Sequence, residues 1–226
     1  KNDILLYNPA HRVEKVRVEK VQQRIPQQWE MQKLLQCLLQ EPLLYRVFYL
    51  MALSTGLRRG ELCALRWSDL HGGNQVKIQH SRSTVVGQGV LESDTKNHRT
   101  RIVVMPQIVF DDLGELFTEQ ALENNGADWN GLIFQRKGKA IHPDSFSRHL
   151  RHLYDRNGFP EEYHLHTMRH FFATYLLEHG TSKQVAADLL GHADTAFLER
   201  TYCHPQDVCK EEAAGLFDSL LAPAEE

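Results

Sequence analysis

The chain has 226 residues, 42% hydrophobic and 24% charged, the balance of an ordinary water-soluble globular protein. No apolar run approaches the ~18 residues of a membrane span, and the start, Lys1-Asn2-Asp3-Ile4, lacks the apolar core of a signal peptide, so a non-membrane, cytoplasmic chain is expected. The formal net charge of −3 taken alone argues against nucleic acid, but its distribution does not: residues 1–110 carry 16 Lys+Arg against 9 Asp+Glu, and residues 111–226 carry 10 against 20. Within the acidic half, 136–156 is a basic island with Arg136, Lys137, Lys139, Arg148, Arg151 and Arg156 against Asp144 and Asp155. A phosphate backbone responds to local potential, so nucleic acid stays open as a partner.

The first residue is not Met, and a piece of a longer protein is expected. Cys37, Cys63, Cys203 and Cys209 form no CxxC pair, which favours free thiols in a reducing compartment.

Residues 1–24 read as a linker, with Asn8-Pro9 and a charged stretch from Arg12 to Lys20. Pro26 opens a helix carrying Trp29, Leu34, Leu35, Leu38 and Leu39, which Glu41-Pro42 interrupts. Leu43 to Ser54 is apolar almost all round, as in a buried helix, and Thr55-Gly56 stops it. Arg59 to Asp69 reads as a further helix. Val76-Lys77-Ile78, Ser83-Thr84-Val85-Val86 and Arg101-Ile102-Val103-Val104 are β-prone and predict a small antiparallel sheet. Helices then follow at about 107–123, 143–156, 166–179, 182–190, 195–202 and 206–221, punctuated by glycines. The fold class is α+β, mostly helical with one small sheet.

A few residues stand out chemically. Arg58 follows Thr55-Gly56 at a helix start, where backbone N–H groups favour an anion, and Glu61 lies three residues on, placed to orient it. A surface Arg–Glu pair explains the same residues equally well. His166 and Arg169 are an i, i+3 pair that would put a proton acceptor and a cationic fork on one helix face, although a lone helical His is most often structural. Tyr202 lies between His192 and His204 in a polar segment, unlike Tyr45, Tyr49, Tyr154, Tyr163 and Tyr175, which read as core or interface tyrosines. A phenol has a pKa of about 10, so supplying phenolate near pH 7 costs about 4 kcal/mol unless neighbours help. Lys96, in the turn Asp94-Thr95-Lys96-Asn97-His98, is by default a solvated charge, but on a hairpin tip it can also enter a groove and protonate a leaving oxygen. Nucleophile, proton acceptor and fixed cations together suit attack of a phenol on a phosphodiester.

Thr55-Gly-Leu-Arg-Arg-Gly-Glu-Leu62, His166-Thr-Met-Arg-His170, Leu189-Leu-Gly-His192 and Tyr202-Cys-His204 closely resemble, in order, the signature boxes of the tyrosine recombinases, or phage-type integrases. The resemblance covers roughly 26–205, and the ten-residue step from His192 to Tyr202 suits the phage and conjugative-element branch. Met168 stands where the family usually has Leu, a tolerable core exchange. The resemblance implies a tyrosine-recombinase catalytic domain with a small three-stranded antiparallel sheet. Arg58 and Arg169 would bind the non-bridging oxygens of the scissile phosphate, and His166 would assist transfer of the tyrosine proton. Lys96 would protonate the departing 5′-oxygen, His192 would hydrogen-bond the phosphate, and Tyr202 would become linked to the 3′-phosphate. Glu61, His170 and His204 would support these groups. Protein cations replace metal ions, so no metal and no cofactor are implied.

The organisation that follows is a linker at 1–24, a catalytic domain at 25–205 and a C-terminal helix and tail at 206–226. In that last segment Ala213, Leu216, Phe217, Leu220 and Leu221 form an apolar stripe, packed either on a neighbouring protomer or on the chain's own core. The implied partners are double-stranded DNA recombination sites, further copies of the chain in a tetrameric synaptic complex, and an excisionase or DNA-bending helper, in the prokaryotic nucleoid. The implied function is integration and excision of a prokaryotic mobile element, with a Xer-like dimer resolvase as the rival within the family. Outside it stand a catalytically silent DNA-binding module and a metal-dependent hydrolase, the latter disfavoured by the lack of HExxH or comparable ligand spacing among 13 histidines.

Overall fold

The computed structural model describes residues 24–94 and 100–191. Along the chain these form α1 (Gln28–Leu38), α2 (Leu43–Thr55), α3 (Arg59–Ala64), a 3-10 turn (Trp67–Asp69), β1 (Leu70–His71), β2 (Gln75–Ile78), β3 (His80–Val85), β4 (Gly89–Asp94) and β5 (Arg101–Val104). Then come α4 (Gln107–Glu123), β6 (Gln135–Arg136), β7 (Lys139–Ala140), α5 (Pro143–Arg156), α6 (Leu165–Glu178) and α7 (Lys183–Leu190). The expected helices at 195–202 and 206–221 lie outside the described residues, as does the stretch 1–23 of the expected linker.

The segment that is apolar all round becomes the centre of the molecule. In α2, Val47, Phe48, Tyr49, Leu50, Met51, Ala52 and Leu53 are all buried, because α1, α4, α5 and α6 surround it. Phe48 stacks on Phe146 of α5 with ring centroids 3.8 Å apart and meets Phe134 edge-on at 4.8 Å, while Tyr49 donates from its hydroxyl to the Phe146 carbonyl at 2.8 Å. Against this core α4 turns Val109, Leu113 and Leu116 inward, the spacing of a single helical stripe.

Helix α1 departs from expectation on one face. Leu34 and Leu38 enter the core with Met31, whereas Trp29, Leu35 and Leu39 are exposed. Its start is anchored instead through Glu30, a buried carboxylate that accepts from the Gln27 N–H at 2.8 Å, from Arg24 at 2.9 Å and from the Tyr163 hydroxyl at 2.8 Å. That arrangement offsets the desolvation of the charge and ties α1 to the loop before α6.

Arg59–Asp69, expected as one helix, is helical only to Ala64. Leu65 turns extended because its carbonyl accepts from Ile133 N–H, while Trp67 and Ser68 donate to the carbonyls of Gly131 and Trp129. Pairing with the 129–133 loop outcompetes another helical turn. Beside it lies a buried amide network: the Trp67 indole and the Gln135 amide both donate to Gln120 Oε1, at 3.2 and 3.0 Å, and Gln120 Nε2 donates to the Ile133 carbonyl at 2.8 Å. Gln120→Leu strands two donors and one acceptor in the core and is expected to cost about 2–4 kcal/mol. A urea titration checks this as a lowered midpoint with an unchanged slope.

The sheet is three-stranded and antiparallel, in the order β1-β2-β5, with Val76 opposite Val103. Its membership differs from expectation. Ser83–Val85 leaves the sheet to form a separate hairpin with β4, and the two-residue β1 takes the third place. The hairpin packs on α3, where a Cβ on Gly60 would fall 2.5 Å from Ser81 Oγ and 2.7 Å from the Arg82 carbonyl oxygen, so a glycine is required there. Among the described residues no helix is long and apolar enough to cross a membrane.

Candidate active site

Arg58 owes its position to a short, heavily bonded turn. α2 ends in Gly56 with φ +63°, a conformation that favours glycine, and a Cβ there would strike Phe172 of α6 at 2.5 Å. Thr55 is buried, donating to the Met51 carbonyl and accepting from the Leu57 N–H. Leu57 enters the core, and Arg58, in extended conformation, caps α3. The Arg58 N–H donates to Glu61 Oε2 at 2.9 Å and its Nη1 donates to Oε1 at 3.0 Å. The orientation expected of Glu61 is thus present, through both backbone and side chain.

Glu61 holds a second cation that sequence reasoning missed. Arg101 on β5 donates from Nη1 to Oε1 at 3.1 Å and from Nη2 to Oε2 at 2.8 Å, and from Nε to the Leu189 carbonyl at 3.0 Å. Burial alone would raise the Glu61 carboxyl; the bonds and charge of Arg101, then those of Arg58, overturn this and hold it below the ordinary carboxylate range.

His166 and Arg169 sit on α6 as the i, i+3 spacing requires, but in different environments. His166 is exposed, whereas Arg169 is buried. Arg169 donates from Nη1 to the Gly56 carbonyl and from Nη2 to the Leu190 carbonyl at 2.7 Å. Both acceptors stand at helix C-termini, of α2 and α7, where aligned peptide dipoles favour a cation and offset its desolvation.

Arg58 and His166, 108 positions apart in sequence, line one cavity of about 390 Å³ together with Arg59, Ser147, Arg151 and His164. Arg59 is held by Asp144 at 2.7 Å and Ser147 at 2.9 Å. The His166 ring lies edge-on to His170 with centroids 4.6 Å apart. Although His166 is open to solvent, packing around the ring, then His170, Arg169, His164 and Arg58, push its pKa down to about 4. Buried His170 is lowered to about 4 by desolvation, then by His164 and Arg169. Both imidazoles are therefore neutral at pH 7, and His166 has a lone pair available for a proton. An anion arriving among these cations would raise its basicity.

The linkage has a definite sign. A histidine whose folded pKa lies below its unfolded 6.5 binds fewer protons folded than unfolded between those values. The contribution of His166 and His170 to stability is complete above about pH 6.5 and is lost as pH drops toward about 4. In urea titrations across that window, His170→Gln is expected to lose less stability on acidification than the parent chain; parallel losses would contradict the assignment.

Glu61, Arg58, His166, Arg169 and His170 are thus gathered around the ends of α2, α6 and α7. Lys96, His192, Tyr202 and His204 lie outside the described residues. Of the other tyrosines, Tyr49, Tyr154 and Tyr163 are buried with raised phenol pKa values, set mainly by desolvation, which suits structural roles. Cys37 and Cys63 are free thiols, and burial pushes Cys63 up to about 12. Among the described residues no three His, Cys, Asp or Glu side chains gather as a metal site requires.

An oriented arginine and a neutral histidine at one cavity form an arrangement that can accept an anion. The chain belongs to the phage integrase family, the tyrosine recombinases, whose family model matches residues 25–208. It is 26% identical to the ICEBs1 integrase of Bacillus subtilis strain 168, over 97% of this chain and 61% of that protein. It is 32% identical to a tyrosine recombinase of Pseudothermotoga lettingae, over 89% of this chain and 64% of that one. The chain thus spans under two thirds of the length of these relatives. In fold it matches the integrase of transposon Tn1549, solved with transposon right-end DNA, at a TM-score of 0.77 and 18% identity, over 88% of this chain and 67% of that one.

Proposed function

We propose that this chain performs site-specific DNA recombination for a prokaryotic mobile element by tyrosine attack on a phosphodiester. The observation that carries the reading is the meeting of Arg58 and His166 at one cavity, with the charge of Arg169 bearing on His166, in a chain of this family. The mobile-element assignment draws on the likeness to the ICEBs1 integrase over 97% of the chain.

In the proposed reaction, Tyr202 Oη attacks phosphorus and the bond from phosphorus to the 5′-oxygen breaks. His166 takes the phenolic proton as the attack develops, offsetting part of the roughly 4 kcal/mol that free phenolate would cost near pH 7. Lys96 gives a proton to the departing 5′-oxygen, leaving a 5′-hydroxyl and a 3′-phosphotyrosyl link. Attack by a 5′-hydroxyl of the partner strand reverses these steps and rejoins the DNA. Arg58 and Arg169 stabilise charge on the non-bridging oxygens, with His192 as a further hydrogen-bond donor. His170 and His204 support the histidine and tyrosine segments. Residues 25–205 form the catalytic unit in this reading, with 1–24 as linker and 206–226 as a C-terminal helix and tail. The unit acts on double-stranded recombination sites as a tetramer, with an excisionase or DNA-bending protein as helper.

The test incubates the chain with randomised duplexes, each carrying a nick, in the presence of chelator. Cleavage near the nick releases a short fragment and traps any covalent intermediate. A denaturant-resistant protein–DNA adduct is expected, and none from Tyr202→Phe. Duplex binding with no adduct would favour a silent DNA-binding module, and cleavage that chelator abolishes would favour a metal-dependent hydrolase.

A further inference from the structure

We infer that Arg101 is a positioning residue for the proposed reaction, setting how much of Arg58's charge remains available to a bound phosphate. The inference rests on the recombinase reading above. The buried Glu61 carboxylate is shared by two cations: Oε1 accepts from Arg58 Nη1 and Arg101 Nη1, and Oε2 accepts from the Arg58 N–H and Arg101 Nη2. Two guanidinium groups around one carboxylate leave a net positive charge of one at the site. Arg101 is only 11% exposed, so solvent screens its share weakly, whereas Arg58, 35% exposed, reaches the cavity.

Without Arg101, the carboxylate would neutralise Arg58 one to one. Half of the donors to a buried anion would be missing, and Glu61 would compete with a substrate phosphate for the Arg58 guanidinium. Arg101 therefore supports Arg58 indirectly, by occupying the carboxylate both arginines share.

The same side chain fixes the far side of the site. Its Nε donates to the Leu189 carbonyl while Arg169 takes the next one, of Leu190, so two arginines hold the C-terminus of α7. Gly191, with φ +66°, lies against the Arg101 guanidinium, where a Cβ would fall 2.7 Å from Nη1. In sequence this is the residue before His192. Arg101 thus links the arginine turn at 56–61, strand β5 and the end of α7.

The test measures single-turnover adduct formation at saturating duplex, and duplex affinity separately, on a nicked duplex recovered by covalent capture on the parent chain. Arg101→Gln is expected to slow the saturated rate roughly 10- to 100-fold while affinity stays within about threefold. Arg101→Lys, which keeps the charge but not the bidentate fork, should fall between. The decisive variant is Glu61→Gln in the Arg101→Gln background, which removes the unshared carboxylate and should recover part of the lost rate. A purely structural role predicts that rate and affinity fall together and that the double variant is no faster; either result overturns the inference. If Arg101→Gln does not fold, a parent-like saturated rate for Arg101→Lys overturns it equally. Absence of an adduct from the parent chain would instead sink the recombinase reading itself.

Discussion

Arg58→Ala is expected to slow covalent adduct formation by about three orders of magnitude while leaving duplex binding measurable. Phosphoryl transfer gives the protein little covalent chemistry to do, so positioning and charge stabilisation carry most of the rate. An arginine facing the transferring group contributes on the order of 10³-fold or more. The fold should survive, because the Arg58 side chain is partly exposed and Glu61 keeps both bonds to Arg101. Single-turnover adduct formation on a captured nicked duplex, read beside a melting curve, separates the two effects. A rate within tenfold of the parent would remove Arg58 from the phosphate site.

Arg169→Ala should fail on both counts. The Gly56 and Leu190 carbonyls would lose their donor at the ends of α2 and α7, in a region with little access to solvent. Stranding two buried acceptors and leaving a void is expected to cost about 2–4 kcal/mol, visible as a lowered urea midpoint. Adduct formation should fall below detection, since a cation whose charge bears on His166 goes together with the geometry of the α2 and α7 termini. Arg169→Lys is also expected to be poor, because one ammonium does not reproduce a planar fork spanning two carbonyls. Parent-like stability for Arg169→Ala would mean that these two bonds contribute little to the fold.

The contrast between these arginines marks what sequence makes visible. The helices were legible because their apolar spacing follows the burial: α4 presents Val109, Leu113 and Leu116 to the core, and α2 is apolar on every side because every side is covered. Trp29, Leu35 and Leu39 show the limit, since helical spacing does not say which apolar stripe meets the core. The sheet was legible in kind but not in membership. β1 has two residues, and β4 is mostly exposed, so neither carries a readable alternation.

At the site, the i, i+3 spacing of His166 and Arg169 placed both on one helix. It did not reveal that Arg169 turns inward to two backbone carbonyls while His166 stays open to solvent. Glu61 was legible as a partner of Arg58 because the two are three residues apart. Arg101 was not, because a strand arginine 40 residues away looks like any solvated strand residue until the fold brings β5 against the end of α7. That Arg58 and His166 share a cavity is likewise a product of the fold, anticipated in sequence only by the order of the family boxes.

The proposed reaction depends most heavily on Tyr202, and the most direct measurement is the chemical identity of the adduct. The chain is trapped on a nicked duplex in chelator, digested with protease and nuclease, and the modified peptide is sequenced by mass spectrometry. A 3′-phosphotyrosyl link at Tyr202, formed without divalent metal, is expected. A nucleotide linked to any other residue, or strand cleavage that leaves no covalent link and requires metal, would contradict it.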